Sequence, residues 1–224
     1  MSARAVALIP VLEIGYGNQN VEVPTKYPYW ENTALWDAYH AACYTGAGFP
    51  DALRPSVPGA AFYRLAEITD RNLAKLVKDH TAELRAGNLD REQACALFGG
   101  YVLHIDEEAV FSPQCCGQLS DIVYWERLAA GTASYYEGHP APSLRFTEDT
   151  VVLDFAVRAC EEPFQPPPSA LSVTISRPAL QLAVVQANRE LTHFAQRLRE
   201  VNEAEGLGVQ AIYKLLIWND GKHD

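Results

Sequence analysis

The fold is decided by the stretch YVLHIDEEAVFSPQCCGQLSD, residues 101–121. Tyr101, Leu103 and Ile105 recur with the two-residue period of a β-strand, and the acidic turn DEE sends the chain back through AVFSP. This pattern predicts a β-hairpin. Pro113 is expected to end its second strand, and a helix is expected to begin just beyond the CCG triplet.

Helical patterns flank this hairpin on both sides. Each has a capping residue or proline near its start, and most have a glycine near the end. The predicted helices run from about 32 to 46, from Thr69 or Asp70 to Gly87, from Asp90 to Gly99, from Ser120 to Gly131, and onward from Pro178.

The helix that begins at Pro178 carries one continuous apolar seam, because apolar residues recur at alternating steps of four and three. Such a seam is typical of a coiled-coil dimer, or of a helix that lies across the protein's own sheet; the second interpretation is favoured. The seam residues are Leu180, Val184, Ala187, Leu191, Phe194, Leu198 and Val201.

Further strands are predicted at 4–14, where Pro10 suggests an edge position or a bulge, and in SLRF, TVVLDFAV and LSVTIS. The pattern leaves residues 209–218 open between strand and helix. We expect an α+β fold with a mostly antiparallel sheet, flanking helices and one long C-terminal helix. The 224 residues are expected to form a single domain, with an irregular part over 1–68 and the main α+β body over 69–224.

Composition restricts the classes of function. The formal charge of -10 disfavours binding to nucleic acid, and no apolar run is long enough to cross a membrane, so a cytoplasmic protein is expected. The cysteines are odd in number and show no CxxC spacing, which predicts reduced thiols. They are Cys43, Cys95, Cys115, Cys116 and Cys160.

The CCG triplet offers the strongest argument for catalysis. A thiol near the start of a helix feels the positive end of the helix dipole, which favours the nucleophilic thiolate. Cys116 would then be the nucleophile of a hydrolase or transferase, with His104 or His139 as its base. The alternative is a buried junction in which both cysteines pack under the helix.

Other candidate sites have weaker signals. No cofactor or metal is expected, since adjacent cysteines point different ways and no HxH or HExxH motif is present; a set of Cys116, His104, His139 and Asp106 is possible only on paper. The pairs Glu107–Glu108 and Glu161–Glu162 are expected to be solvated turn charges. The aromatic run KYPYWEN, with Tyr27, Tyr29 and Trp30, predicts either a binding platform or a cover over the core.

The middle of the chain, over roughly 98–155, combines a hairpin, a PxCCGxL turn, a helix with tryptophan, a GHPxP loop and another hairpin. The motif residues are Pro113, Cys115, Cys116, Gly117, Leu119, Asp121, Trp125, Gly138, His139 and Pro140. This combination resembles bacterial proteins of the polymorphic-toxin immunity type.

The resemblance implies a small α+β protein that neutralises a partner by binding it and catalyses nothing. On this interpretation the paired cysteines fill a buried corner, Gly117 allows the turn, and the GHPxP loop packs beside it. The partner would be a basic toxin, steered by the acidic surface and anchored by aromatic residues such as Trp30 or Tyr136. Oligomeric state is left open.

Overall fold

The computed structural model describes residues 4–17, 19–158 and 162–219. The chain forms two compact units that are interleaved along the sequence. The first contains the residues up to Pro10 together with Phe98–Leu191, and the second contains Val11–Leu97 together with the residues from Thr192 onward. The sequence position 68, which was expected to divide an irregular part from the main body, lies inside the second unit.

The fold is α+β, as predicted, and the described residues form two antiparallel sheets. The strands are β1 (Val6–Glu13), β2 (Phe62–Arg64), β3 (Gly99–Ile105), β4 (Glu108–Phe111), β5 (Pro142–Phe146), β6 (Thr150–Arg158) and β7 (Ser172–Ser176). Their order is β2-β1-β3-β4 in one sheet and β5-β6-β7 in the other. The helices are α1 (Thr33–Gly46), α2 (Asp70–His80), α3 (Ala82–Arg85), α4 (Ile122–Ala130), α5 (Arg177–Ala204) and α6 (Ile212–Trp218).

The predicted hairpin of the first unit is confirmed as β3 and β4. Asp106 and Glu107 form its two-residue turn with φ values of 52° and 69°, the left-handed conformation that tight hairpin turns require. Two further hairpin partners, β5 and β6, are also confirmed, and β7 adds to β6 in antiparallel register.

Phe111, at the end of β4, lies in an aromatic cluster within the core of this unit. Its ring centroid is 6.2 Å from Trp125 on α4, 5.8 Å from Tyr136 and 5.6 Å from Phe155 on β6. All four side chains are buried. Because these large rings restrict one another, the chain that follows Phe111 leaves from a rigid base.

The long helix α5 buries its apolar seam inside the protein, as expected for a helix that packs on its own chain and not for a coiled-coil dimer. Every seam residue is buried within the single chain, from Leu180 at 0% exposure to Val201 at 7%. The seam is therefore core packing and not a surface reserved for a second helix. The tail that the sequence left open is helical, as α6.

Several local predictions are wrong. Strand β1 is not an edge strand, since it has β2 and β3 as neighbours; Pro10 is tolerated because pairing with β2 begins only at Val11. The helix predicted from Asp90 is one 3-10 turn, Arg91–Gln93, although its capping box forms. Helix α4 is preceded by a 3-10 turn, Leu119–Asp121, capped by Gln118 and not by Ser120.

Candidate functional site

The CCG triplet forms an exposed turn in the first unit. The amide of Gly117 donates a hydrogen bond of 3.0 Å to the carbonyl of Gln114, which closes a four-residue turn with Cys115 and Cys116 at its centre. Cys116 has a φ of +67°, a left-handed conformation that costs a residue with a Cβ about 1–2 kcal/mol. Strain of this kind is concentrated at functional sites.

Gly117 is needed for close packing and not for a left-handed conformation. A Cβ at this position would lie 2.7 Å from the carbonyl oxygen of Gly99 and 3.1 Å from that of Gln114. The Gly99 amide also donates to the Gly117 carbonyl at 2.9 Å. Contact with the start of β3 therefore fixes the turn and leaves the strained conformation to Cys116.

Both cysteine side chains are exposed, so the expectation that Cys115 and Cys116 fill a buried corner is wrong. Their sulfur atoms lie 3.5 Å apart. The buried members of the motif are its framework residues, and they include Pro113, Gly117, Leu119, Asp121, Trp125, Gly138 and Pro140. The residues with reactive side chains, by contrast, face solvent.

The GHPxP loop packs beside the cysteine turn, as predicted. The His139 amide donates to the Cys115 carbonyl at 3.0 Å, and His139 Nε2 lies 3.6 Å from Cys116 Sγ. Gly138 allows this approach, because a Cβ there would lie 2.6 Å from the Tyr136 ring. Of the two histidines considered as a base, His139 is the one in contact with the thiol.

Glu162 completes the arrangement from the other side of the imidazole. Its Oε2 atom lies 2.8 Å from His139 Nδ1, with side-chain exposures of 47% for His139 and 59% for Glu162. Since a carboxylate accepts the Nδ1 proton, the lone pair of neutral His139 is on Nε2, the nitrogen that faces Cys116. The sequence pattern predicts Glu161 and Glu162 to be solvated turn charges, whereas Glu162 pairs with His139. Glu161 lies outside the described residues.

Two buried polar side chains tie the three segments together. Gln114, 5% exposed, accepts a hydrogen bond of 2.9 Å from the Gln165 amide through Oε1, close to Glu162 in the chain. Asp121, 3% exposed, accepts from the amides of Gln118 at 3.0 Å and Glu137 at 3.3 Å. Each bridges the cysteine turn to one of the loops that bring His139 and Glu162 to it.

Burial controls the ionisation of the aromatic residue beneath the turn. Burial and then the nearby Asp121 carboxylate raise the pKa of the Tyr136 phenol well above its ordinary value. The phenol is therefore neutral at physiological pH, and its oxygen accepts a hydrogen bond of 3.4 Å from the Gln114 amide. Because Tyr136 is 6% exposed, it supports the site from below and is not a surface anchor for a partner.

The other candidate residues lie elsewhere. His104 bonds through Nδ1 to the Glu107 carbonyl at 3.1 Å, within its own hairpin. Asp106 is a turn residue, and its hydrogen bonds from Arg4 and from the Ala5 amide lower the pKa of its carboxyl group. His104 is therefore a strand histidine with a partner in its own hairpin, and Asp106 is a turn aspartate with partners at residues 4 and 5.

The aromatic run in the second unit is only partly exposed. Trp30 is half-buried and packs edge-on against Tyr29 at 4.9 Å. Tyr27, 66% exposed, packs edge-on against Trp36 at 5.0 Å. Tyr27 therefore faces solvent while its neighbours cover other side chains, and a binding role for this run stays a prediction.

Three ligand-type atoms meet at the site. Cys115 Sγ, Cys116 Sγ and His139 Nε2 all lie within 4.8 Å of one another. The sequence argument that adjacent cysteines point different ways fails here, because the left-handed φ of Cys116 breaks the alternation of side chains along an extended segment.

Comparison with family models, with curated proteins and with solved structures gave no match to this chain. Within the residues that the structure describes, no helix has the length and apolar character needed to cross a membrane.

Proposed function

We propose that the protein is a cysteine-dependent enzyme of hydrolase or transferase type. Cys116 is its nucleophile, His139 its general base and Glu162 the residue that orients the base. The observation that carries this proposal is the pair of contacts in series, 3.6 Å from Cys116 Sγ to His139 Nε2 and 2.8 Å from His139 Nδ1 to Glu162. A nucleophile within reach of a base, itself held by a third group, is the arrangement that nucleophilic catalysis needs.

Each side chain has a defined role in the first step. Cys116 Sγ attacks an electrophilic carbon, His139 Nε2 takes the thiol proton, and the leaving group departs with a proton returned by His139. Glu162 keeps Nδ1 protonated and stabilises the charged imidazole. Water or a second acceptor then attacks the thioester, with His139 again as base, and the free thiol is restored.

Exposure of the centre bears on the kind of substrate. Both cysteines and His139 are exposed, so the reacting group can belong to a macromolecule as well as to a small metabolite. We therefore propose acyl groups carried by a macromolecule as the first class of substrate to test.

The test uses p-nitrophenyl acetate and locates the product by peptide mass spectrometry. The expected result is an acetyl thioester on Cys116, formed as the C–O bond to p-nitrophenol breaks, and its absence in Cys116→Ser. His139→Ala should slow acetylation strongly, whereas Cys95→Ser should not, since Cys95 is an exposed thiol elsewhere in the chain. Acetylation of Cys116 no faster than that of Cys95 would overturn the proposal.

The binding role remains a second proposal. Its support is the formal charge of -10 and the resemblance of the CCG and GHPxP motifs to immunity-type proteins. Long-range attraction would accelerate encounter with a basic toxin and weaken as salt rises. Pull-down from the native host at low and high salt tests this role; the same captured proteins at both salt concentrations, with none of them basic, would contradict it.

A further inference from the structure

We infer that Cys115, Cys116 and His139 form a binding site for one Zn²⁺ ion, with Glu162 as the carboxylate behind the histidine. The ligand atoms would be the two Sγ atoms and Nε2, and the fourth position of the metal would face solvent. This inference does not rest on the proposed catalysis, because metal binding is measured without a substrate.

The distances between the ligand atoms fit a tetrahedral ion. Zn–S bonds of about 2.3 Å and Zn–N bonds of about 2.0–2.1 Å imply tetrahedral edges of about 3.8 Å between two sulfurs and about 3.6 Å between sulfur and nitrogen. The structure has 3.5 Å between the sulfurs and 3.6 Å between Cys116 Sγ and His139 Nε2. These two edges therefore need at most a few tenths of an ångström of adjustment, and the third, between Cys115 and His139, lies within 4.8 Å.

The backbone of Cys116 explains how neighbouring cysteines can share one ligand sphere. In an extended segment, successive side chains point to opposite sides. The φ of +67° at Cys116 brings both sulfurs to the same side. The Cys116 side chain is exposed, so packing in the core does not repay the energetic cost of its strained backbone. Metal binding would give this strained conformation a function.

Glu162 supplies an independent indication. Histidines that bind a metal through one ring nitrogen nearly always donate the other N–H to a carboxylate or a carbonyl, which fixes the tautomer and the ring orientation. The contact of 2.8 Å between His139 Nδ1 and Glu162 Oε2 has this form. Nε2 is left with its lone pair toward the sulfurs.

The chemistry of the ligands selects the metal. Two thiolates and an imidazole suit zinc, whereas Mg²⁺ and Ca²⁺ prefer oxygen. Three protein ligands with an exposed fourth position resemble an open zinc site more than a closed structural one. A bound ion would also occupy the Cys116 sulfur and the His139 nitrogen, so the metal-bound form should resist alkylation.

Zinc binding is tested on the full chain after removal of metal by a chelator. Titration with Zn²⁺ against a chromophoric competitor should show one ion per chain, and Co²⁺ should give a thiolate-to-metal charge-transfer band. Cys115→Ser, Cys116→Ser and His139→Ala should each lose this high-affinity binding, while Cys95→Ser should retain it. Glu162→Gln should weaken binding roughly 10–100-fold.

X-ray absorption on the zinc-loaded wild-type protein identifies the metal's neighbours without any substitution, so misfolding of a variant cannot affect the result. Two sulfur neighbours and one imidazole nitrogen are the expected shell; a shell of oxygen atoms, or binding that Cys115→Ser leaves unchanged, would overturn the inference. Alkylation of the metal-free wild type separates the two proposals. If Cys116 is alkylated slowly but zinc binds tightly, only the catalytic proposal is refuted. If Cys116 is alkylated rapidly but zinc does not bind, only the metal site is refuted.

Discussion

Cys115 and His139 are joined through the main chain, since the His139 amide donates to the Cys115 carbonyl at 3.0 Å. The reactive side chains meet next to this bond. The register between the cysteine turn and the GHPxP loop is therefore set by backbone groups, and substitutions at the thiols or the imidazole should leave the two loops in place.

The conformation of Cys116 predicts an unusual response to glycine. Glycine adopts a positive φ without the penalty of about 1–2 kcal/mol that a Cβ brings, and this gain offsets the entropy of about 0.4–1 kcal/mol that glycine adds to the unfolded chain. Cys116→Gly should thus be at least as stable as Cys116→Ala in urea unfolding. At Cys115, whose φ is not positive, glycine should be less stable than alanine. The same order at both positions would contradict the prediction.

Gly117→Ala tests the contact between the turn and β3. The new Cβ would meet the Gly99 carbonyl at 2.7 Å, and overpacking of this kind costs about 1–3 kcal/mol. We expect a lower free energy of unfolding and slower alkylation of Cys116 as the turn shifts. Gly15→Ala is the matched control, because its Cβ has no atom within 4 Å; equal effects of the two variants would show that the contact is not tight.

Leu191→Ala tests the apolar seam of α5. Leu191 is 2% exposed, and removal of a buried leucine typically costs about 2–5 kcal/mol. Leu182 lies on the same helix at 73% exposure, so Leu182→Ala should change stability by less than about 0.5 kcal/mol. Thermal unfolding with analytical ultracentrifugation checks both; loss of a dimer at unchanged stability would restore the coiled-coil interpretation.

His40 predicts a loss of stability on mild acidification. Burial lowers the pKa of His40, and the Gly59 backbone and Asp37 only partly oppose this shift. The unfolded chain therefore binds a proton at His40 more readily, so stability is complete above about pH 6.5, the ordinary histidine value, and falls as the pH drops through it. Unfolding in urea from pH 8 to pH 5 should show a shallower decline in His40→Gln; parallel curves would refute the assignment.

Local signals predicted much of the fold. The acidic turn of the β3–β4 hairpin needed no tertiary information, and neither did the cap of α2, where the Thr69 hydroxyl accepts from the Asn72 amide at 3.2 Å. The failure at Asp90 is tertiary in origin. Its capping box starts a helical turn, but the chain becomes extended before Leu97, whose amide donates to the Leu216 carbonyl at 3.0 Å. A contact with a residue so distant in the sequence cannot be predicted from a local pattern.

The site was predicted in part for a related reason. Sequence reasoning paired Cys116 with His104 or His139, which includes the histidine in contact. It did not predict that the thiols are exposed. Their direction depends on the left-handed φ of Cys116, which follows from the packing of Gly117 against Gly99, a contact that the local sequence does not show. It also missed Glu162, whose loop is brought to the turn by the buried side chain of Gln114.

The spacing of the centre along the chain makes it an internal indicator of the folded state. Cys116 and His139 are 23 residues apart, and so are His139 and Glu162. To bring these groups together, an unfolded chain would have to close two loops. Loop closure costs conformational entropy, and only the contacts of the folded state compensate for it. The difference in reactivity between Cys116 and an ordinary thiol should disappear with the first cooperative opening of this unit, so pulsed alkylation at Cys116 can measure local unfolding without any added label.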